Sequence, residues 1–489
     1  MITLKELFKT IDVFTHIKRQ VTGITLDSRK VIPGYIFVAL KGVHSDGYDY
    51  IVEAILKGAI CIIADRDFKS TSKADFDRII TPNVYELASK FALLVYDNPS
   101  TKLKVIGITG TNGKTTTTYI LEAIFRKVGF KTGIIGTIQN KIDDKITLSE
   151  NTTPFPTELQ GIFYEMVQAG VQYVFMEVSS HALELGRVYG TEFAAAVFMN
   201  LTKEHLDFHI NMKNYALAKK KLFDMLPDKA IAVVNKDSKY SREMYRTPIQ
   251  FSRKTKSDFT AKNIKFDRSG CMSHFDINNM KINTKLVGMH NVENILAAVA
   301  VAVSFGIVKP VIEKALQELE GVNGRFEFVR AGQDFACIVD YAHTSDSLAQ
   351  VLRTCRKLKM NRIITVFGCG GDRDRKKRPL MAKASAKYSD YVILTNDNPR
   401  DENPKRILTD IEVGFNEVGF LDYEIIEDRE EAIRVAINMA NTYDLVLIAG
   451  KGHENYQICR GEHKLFLDKK VAHEKIRDIL TANIKPMLI

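Results

Sequence analysis

Residues 107 to 118 read GITGTNGKTTTT. A glycine-rich turn that opens a helix offers backbone N–H groups to an anion, and the helix dipole adds to the attraction. In such a loop Lys114 reaches the β- and γ-phosphates of a nucleotide and the Thr115 hydroxyl meets a magnesium ion. The usual spacing asks for glycine five residues before the glycine that precedes the lysine. That position is Ile108, and the glycines stand at 107, 110 and 113 instead. The strand-like KVIGIT ahead of the turn and the helical TTTYILEAIFRKVG behind it, ending at Gly129, supply the context a phosphate loop needs. A chance glycine-rich turn accounts poorly for strand, loop, GKT and helix together. ATP with Mg2+ is therefore expected, held by a loop of unusual spacing.

Other residues with chemical potential follow other apolar runs. Glu177 ends YVFMEV, and His205 lies in NLTKEHLDFH after AAAVFMN. A carboxylate and an imidazole beside a phosphate loop could hold magnesium, although imidazole is a less usual ligand for so hard a cation. A lone histidine is more often a hydrogen-bonded structural residue. In NYALAKKKLFDML, 214 to 226, three successive lysines fan out by about 100° each on a helix, so at most one faces a given site. A solvated basic face fits that spacing equally well. TNDNPRDENP, 395 to 404, is a turn by its proline punctuation. DNPS at 97 to 100 shares three letters with it but lacks the arginine, so Arg400 sets the later turn apart. A solvated turn arginine is the commoner fate of that residue type.

These residues need elements to hold them. YVFMEV, AAAVFMN and AIAVVN read as buried strands alternating with helices, which implies a parallel sheet with crossover helices. Residues 258 to 288 alternate at period two and predict an antiparallel patch. After 333, FACIVDYAH, RIITVFGCGGDRD, YVILTNDNPR and DLVLIAGKGHE each run from a buried strand into polar and glycine residues. Ligands of open parallel sheets sit beyond the carboxyl ends of the strands. Ordinary loops explain one such polar cluster more easily than four, so a shared site is expected. Residues 1 to about 97 mix short strands (IFVAL, AICIIAD) with short helices, and YDNPSTKLK follows as a linker. The fold class expected is α/β with three domains: a mixed α/β domain over 1–98, a central P-loop ATPase-like parallel sheet with an antiparallel patch over 99–331, and a C-terminal Rossmann-like domain over 332–489.

A chain of 489 residues suits three domains. Hydrophobic content of 45% and charged content of 26% describe a globular protein. No apolar run approaches the roughly 20 residues of a membrane span, and MITLKELFKTIDVF has no signal-peptide core. The six cysteines form no CxxC pair, which argues against a zinc ribbon or disulfide framework and fits a reducing cytoplasm. The net charge of +10 is dispersed among acids rather than blocked, so it does not call for nucleic acid. A polyanionic small substrate or a lysine-rich proteome accounts for it as well.

GTNGKTT resembles the phosphate loop of the Mur ligase family, enzymes that build the bacterial cell-wall peptide. The resemblance covers essentially the whole chain. Tyr215, Ala218 and Lys219 match the family's Tyr-x-x-Ala-Lys, GMHNVENILAA matches its G-x-H-N-x-x-N with His290, Asn291 and Asn294, GRFE supplies Arg325, and DYAH supplies Asp340. The family usually continues DYAH-Thr-Pro, whereas Ser345 follows Thr344 here. The resemblance implies ATP binding by Gly110, Thr111, Asn112, Gly113, Lys114, Thr115, Thr116, Asn291, Asn294, Arg325 and Asp340. It implies catalysis by Lys114, Glu177, His205 and Lys219, with metal at Thr115, Glu177, His205 and Lys219. It also implies that Lys219, rather than Lys220 or Lys221, is carbamylated. Free lysine offers three donors and no acceptor, so it could not itself be a ligand.

The outer regions narrow the resemblance to members that add the third amino acid. LDSRKVIPGYIFVALKGVHSDGYDYI is similar to the domain that binds the UDP end of UDP-MurNAc-L-Ala-D-Glu, with Ser28 and His44 as contacts. Asn151, Thr152 and Thr153 of ENTTPFPTE and Ser179 and Arg187 of MEVSSHALELGRV match further substrate positions. The amino-acid site would use Arg373, Asp397, Asn398, Pro399, Arg400, Gly450 and Glu454. Enzymes of the family that take meso-diaminopimelate carry arginine in the Asp-Asn-Pro-x turn, and lysine-adding ones commonly lack it. Diaminopimelate has a distal carboxylate that a guanidinium grips bidentately, whereas lysine would bring its ammonium against that cation. The implied reaction passes through an acyl phosphate, in a cytoplasmic monomer without nucleic-acid or membrane partners. Lysine addition, folylpolyglutamate synthesis and an ATP-binding regulatory protein with dead chemistry are the rivals.

Overall fold

The computed structural model describes residues 2–12, 15, 18–42, 45–69, 74–267 and 272–484. Three main sheets follow one another along the chain. The first has four parallel strands in sequence order, Gly23–Thr25, Tyr35–Ala39, Cys61–Ala64 and Asp77–Ile80. Side chains alternate across a strand, so Ile36 and Val38 bury against Phe8 and Phe91 on one face. Phe37 and Ala39 bury against Ile51 and Ala54 on the other. Both faces are covered, which is why IFVAL reads as a continuous apolar run rather than an alternating one.

The second sheet has eleven strands. At its centre Lys104–Thr109 lies parallel between Tyr173–Glu177 and Phe193–Phe198. The helix Lys114–Val128 starts directly after the phosphate loop and ends on Gly129 in the left-handed region. Its Phe125 meets Phe175 edge to face at 5.0 Å between ring centroids. The helix Met289–Ser304 is apolar nearly all round and is accordingly buried, packing against Lys114–Val128. One margin of the sheet is the antiparallel set Phe259–Phe266, Ser273–Ile277 and Met280–Thr284, where period two predicted it. The other margin also turns antiparallel through Gln139–Ile142 and Lys145–Leu148. That hairpin left no readable pattern, because its strands have four residues each and the outer one is exposed throughout.

The third sheet runs Glu327–Phe328, Ala336–Asp340, Leu445–Ala449, Ile363–Phe367, Tyr391–Leu394, Tyr423–Ile425. All neighbours are parallel except the first pair. Glu327–Phe328 thus belongs to this sheet although it precedes residue 332. Beyond the last of these strands in the chain a separate hairpin forms, Tyr456–Cys459 with Glu462–Leu465. Its Cys459 bridges to Arg400. This hairpin was not anticipated; its partner is a turn sixty residues earlier, which no local pattern reveals.

The second and third sheets meet where the segment around Gly324 crosses the loop 450–453. Gly324 has φ +66°, and a Cβ there would lie 2.0 Å from the His453 amide nitrogen. Gly324→Ala is expected to destabilise the protein by at least about 1 kcal/mol from the left-handed backbone alone, before the clash is counted. Thermal unfolding checks this; an unchanged midpoint would show that the crossing yields freely.

Candidate active site

The phosphate loop joins the carboxyl end of Lys104–Thr109 to the helix Lys114–Val128. Its shape is held from the neighbouring strand: Thr111 N–H donates to Asn200 O at 3.0 Å and Asn112 N–H to Asn200 Oδ1 at 2.9 Å. Lys114 Nζ donates to Gly110 O and Thr111 O, both at 2.9 Å, which leaves one donor to point into the cleft. The Thr115 hydroxyl donates to Glu177 Oε2 at 2.9 Å and accepts from Arg325 Nη2 at 3.1 Å. Thr137 closes the far side of Glu177, its N–H on Oε1 at 2.8 Å. Thr115, Glu177 and Arg325, far apart in the chain, thus share one hydrogen-bonded group.

Around them opens a cleft of about 280 Å³, lined by both the second and third sheets. Its lining includes Thr111 to Thr116, Glu177, Glu204, His205 and Asn294 from one side and Asp340 to Thr344 from the other. Asn291 and Asn294 are linked side chain to side chain at 3.1 Å at the start of their helix. The Asp340 carboxylate accepts from the Phe326 and Ala342 amides at 2.7 and 2.8 Å, while burial pushes its pKa up to about 6. The Arg325 guanidinium lies 4.6 Å over the Tyr341 ring. Its Nε and the buried Nδ1 of His290 have no hydrogen-bond partner among the described residues.

The three lysines separate by environment. Lys220 pairs with Asp224 and Lys221 with Glu184 on the exposed face. Lys219 is buried, with Nζ 4.7 Å over the Tyr215 ring. Burial first, and Lys114 next, hold its pKa well below the usual value. Tyr215 in turn hydrogen-bonds Thr111 Oγ1 at 3.2 Å, tying the lysine helix to the phosphate loop. His205 sits in left-handed backbone at φ +56°, its ring 4.7 Å from that of His181. The His205 side chain is 43% exposed; partial desolvation, with His181 and Lys114, lowers its pKa and so favours the neutral imidazole that can act as a ligand. Among the described residues no three His, Cys, Asp or Glu side chains gather as a metal cluster.

On the side toward the first sheet, Thr153 Oγ1 donates to Glu177 O at 2.8 Å and accepts from Ser179 N–H at 3.1 Å. Thr152 and Thr137 hydroxyls meet at 3.0 Å. Arg187 donates to Asn151 Oδ1 at 3.3 Å and to Thr153 O at 3.0 Å, its guanidinium 4.2 Å over Phe155. These five expected residues therefore form one patch beside Glu177. Ser28 lies apart, buried, with its hydroxyl donating to Glu53 at 2.8 Å. His44 lies outside the described residues.

The four polar strand ends of the third sheet do converge. Asn398 Nδ2 donates to Glu454 Oε2 at 2.8 Å, and buried Lys451 donates to Asn398 Oδ1 at 3.0 Å and to Glu454 at 3.1 Å. Gly450 leaves room for Asp397, whose Oδ2 would be 2.5 Å from a Cβ at that position. Arg400, at φ +55°, donates from Nη1 to Gly371 O at 2.7 Å. The hairpin clamps this turn: Arg400 N–H donates to Ile458 O, Arg460 N–H to Arg400 O, and Gln457 Nε2 to Asp397 O. Among the described residues the Arg373 side chain donates a hydrogen bond only to the Asp372 carbonyl, and partial desolvation together with Arg400 lowers its pKa. Among the described residues neither Arg373 nor Arg400 has a carboxylate partner. Asn200, Thr137, Lys451 and the hairpin were missed. Asn200 and Lys451 stand directly beyond strands already recognised, which was the available signal; Thr137 and the hairpin had none.

Three family models match in sequence order: Mur ligase family, catalytic domain, over residues 20–93; Mur ligase middle domain over 108–302; and Mur ligase, glutamate ligase domain, over 324–452. The UDP-N-acetylmuramoyl-L-alanyl-D-glutamate--2,6-diaminopimelate ligase of Syntrophomonas wolfei is 43% identical over 97% of this chain and 99% of its own length. The enzyme of that name from Geobacillus thermodenitrificans is 44% identical over 94% of this chain and 95% of its own. A solved structure, also titled as this ligase, superposes with a TM-score of 0.65 at 31% identity, covering 98% of this chain and 99% of that one. Identity at this level along nearly the full length, with three domain models in order, makes the chain a member of the Mur ligase family.

Proposed function

We propose that the protein is an ATP-dependent ligase that adds meso-2,6-diaminopimelate to the D-Glu γ-carboxylate of UDP-MurNAc-L-Ala-D-Glu, acting as a cytoplasmic monomer. One observation carries the choice of amino acid. Arg373 and Arg400, neither with a carboxylate partner among the described residues, stand on adjoining loops close enough that Arg400 lowers the pKa of Arg373. Two unneutralised guanidiniums side by side favour a ligand that brings a carboxylate. The names of the relatives agree with this reading. No helix among the described residues is long and apolar enough to cross a membrane.

The side chains divide the work. The γ-carboxylate of D-Glu attacks the γ-phosphorus of ATP, and an acyl phosphate and ADP result. Lys114 and Arg325 offset charge on the transferring group, where fixed cations act most strongly. Asn291, Asn294 and Asp340 hold the nucleoside, and residues 110 to 116 hold the phosphates. Asn151, Thr152, Thr153, Ser179 and Arg187 orient the UDP-linked substrate, with Ser28 and His44 at its nucleotide end. The amino group of diaminopimelate then attacks the acyl carbonyl, and phosphate leaves.

The donor set suits Mg2+: the Thr115 hydroxyl and the Glu177 carboxylate are hard oxygen ligands, and one or two carboxylates plus substrate phosphates are how proteins commonly hold this ion. When bound, the ion neutralises phosphate charge during transfer. His205 is kept neutral for a share in this. Lys219 does not fit as a free ammonium, but its depressed pKa leaves a neutral amine that can take up carbon dioxide, and the carbamate would be an anionic oxygen donor.

The test offers diaminopimelate and lysine in competition with ATP and UDP-MurNAc-L-Ala-D-Glu. Diaminopimelate is expected in the product at least about a hundredfold more often, because lysine would set an ammonium, in place of a carboxylate, against two guanidiniums. Preferred lysine incorporation would overturn the assignment of Arg400.

A further inference from the structure

Arg373 and Arg400 stand on separate loops, beyond the strands Ile363–Phe367 and Tyr391–Leu394. Like charges repel, so something must hold these loops together. Backbone contacts do part of it. Gly371 N–H donates to Asn398 O at 2.9 Å, and Asp401 N–H to Asp372 Oδ2 at 3.2 Å. The packing is tight enough that a Cβ at Gly371 would fall 1.9 Å from Pro399 O.

Beneath the loops lies Arg378, fully buried near the start of the helix Lys377–Tyr388. It grips Glu402 with both ends of its fork, Nη1 to Oε1 at 2.8 Å and Nη2 to Oε2 at 2.6 Å. Nη1 also donates to Asp410 at 2.8 Å. Glu402 Oε2 further accepts the Asp372 N–H at 3.2 Å. One carboxylate, two residues after Arg400, is therefore bound to the residue just before Arg373. Glu402 is also a natural competitor for the pocket cations. Arg378 occupies both of its oxygens, and Arg375, at 3.9 Å, stands by as a further partner.

We propose that the Arg378–Glu402 pair is a positioning device: it sets the spacing of Arg373 and Arg400 and keeps Glu402 from neutralising them, and so determines specificity for an amino acid with a distal carboxylate. This rests on the amino-acid assignment above. Two guanidiniums converging on one carboxylate tolerate little misplacement, and an error near 1 Å is enough to weaken such a site by orders of magnitude.

The experiment measures steady-state constants for all three substrates in Glu402→Gln and Arg378→Lys. Lysine cannot reproduce the two-pronged grip. In both variants KM for diaminopimelate is expected to rise about tenfold or more, while KM for ATP and for the UDP-linked substrate stays within about twofold. Asp444→Asn is the control, since it weakens the Arg362–Asp444 pair at the opposite end of the same sheet. It is expected to lower thermal stability without moving KM for diaminopimelate. Combining Glu402→Gln with Arg400→Ala is expected to cost less than the sum of the two single losses, because part of the Glu402 effect acts through Arg400. Should the buried variants fail to fold, Asp372→Ala weakens the same stitch at an exposed position and is expected to raise that KM about threefold. Additive losses in the double variant, or equal shifts in Asp444→Asn, would overturn the positioning role. A wild-type enzyme that prefers lysine would instead overturn the amino-acid assignment.

Discussion

Lys219→Ala is expected to lower kcat by about a thousandfold or more, and added bicarbonate is not expected to restore it. Lys220→Ala and Lys221→Ala, one or two residues on, are expected to retain most activity. The contrast follows from where the helix Met212–Asp224 turns each side chain. Lys220 and Lys221 pair with Asp224 and Glu184 at the surface, where ion pairs contribute little. Lys219 alone is buried, and burial favours its neutral amine. The same shift makes the amine more nucleophilic toward carbon dioxide. Alanine removes both the amine and any carbamate formed on it, so no concentration of bicarbonate can compensate. Intact-mass and steady-state measurements on the three variants check this. A dead Lys220→Ala beside an active Lys219→Ala would show that the helix presents a different face to the cleft.

The second large effect is expected at Arg400. Truncation to alanine removes a charge-assisted, two-pronged contact, a loss of about 2–5 kcal/mol in such settings. It should appear as a rise in KM for diaminopimelate of about thirtyfold to several thousandfold, with KM for ATP nearly unchanged. Among the described residues Arg400 holds the fold by only one side-chain bond, to Gly371 O. Its backbone bonds to Ile458 and Arg460 survive the substitution. Arginine itself already bears the left-handed backbone at φ +55°, so alanine changes that cost little, and Arg400→Lys, which keeps a charge but not the fork, separates charge from two-pronged geometry. Equal losses for ATP and diaminopimelate would mean that Arg400 holds the domain rather than the amino acid.

Much of this was written locally. The phosphate loop, its strand and its helix are contiguous, and KVIGIT, GTNGKTTTT and Gly129 specify them by apolar run, glycine turn and left-handed cap. The four strand ends of the third sheet were visible for the same reason: a parallel strand buried on both faces is a continuous apolar word, and its polar sequel is a loop at the carboxyl edge. The antiparallel hairpin Gln139–Leu148 was invisible because its strands have only four residues each and the outer one is exposed throughout.

The sequence by itself thus determined which residue types are available and at which strand ends they stand. Motif resemblance singled out Lys219 among three lysines and Arg400 among sixty-nine basic residues. Tertiary structure decided what each is free to do. Helix rotation and burial set Lys219 apart, and Glu402, which looks like a surface acid in RDENP, is claimed by a buried arginine twenty-four residues earlier. The clamp of Tyr456–Leu465 on the arginine turn is equally a matter of chain crossing. The physical reason is common to all three. Charge state, partner and orientation depend on desolvation and on neighbours across the sheet, and those contacts form between segments that share no local pattern.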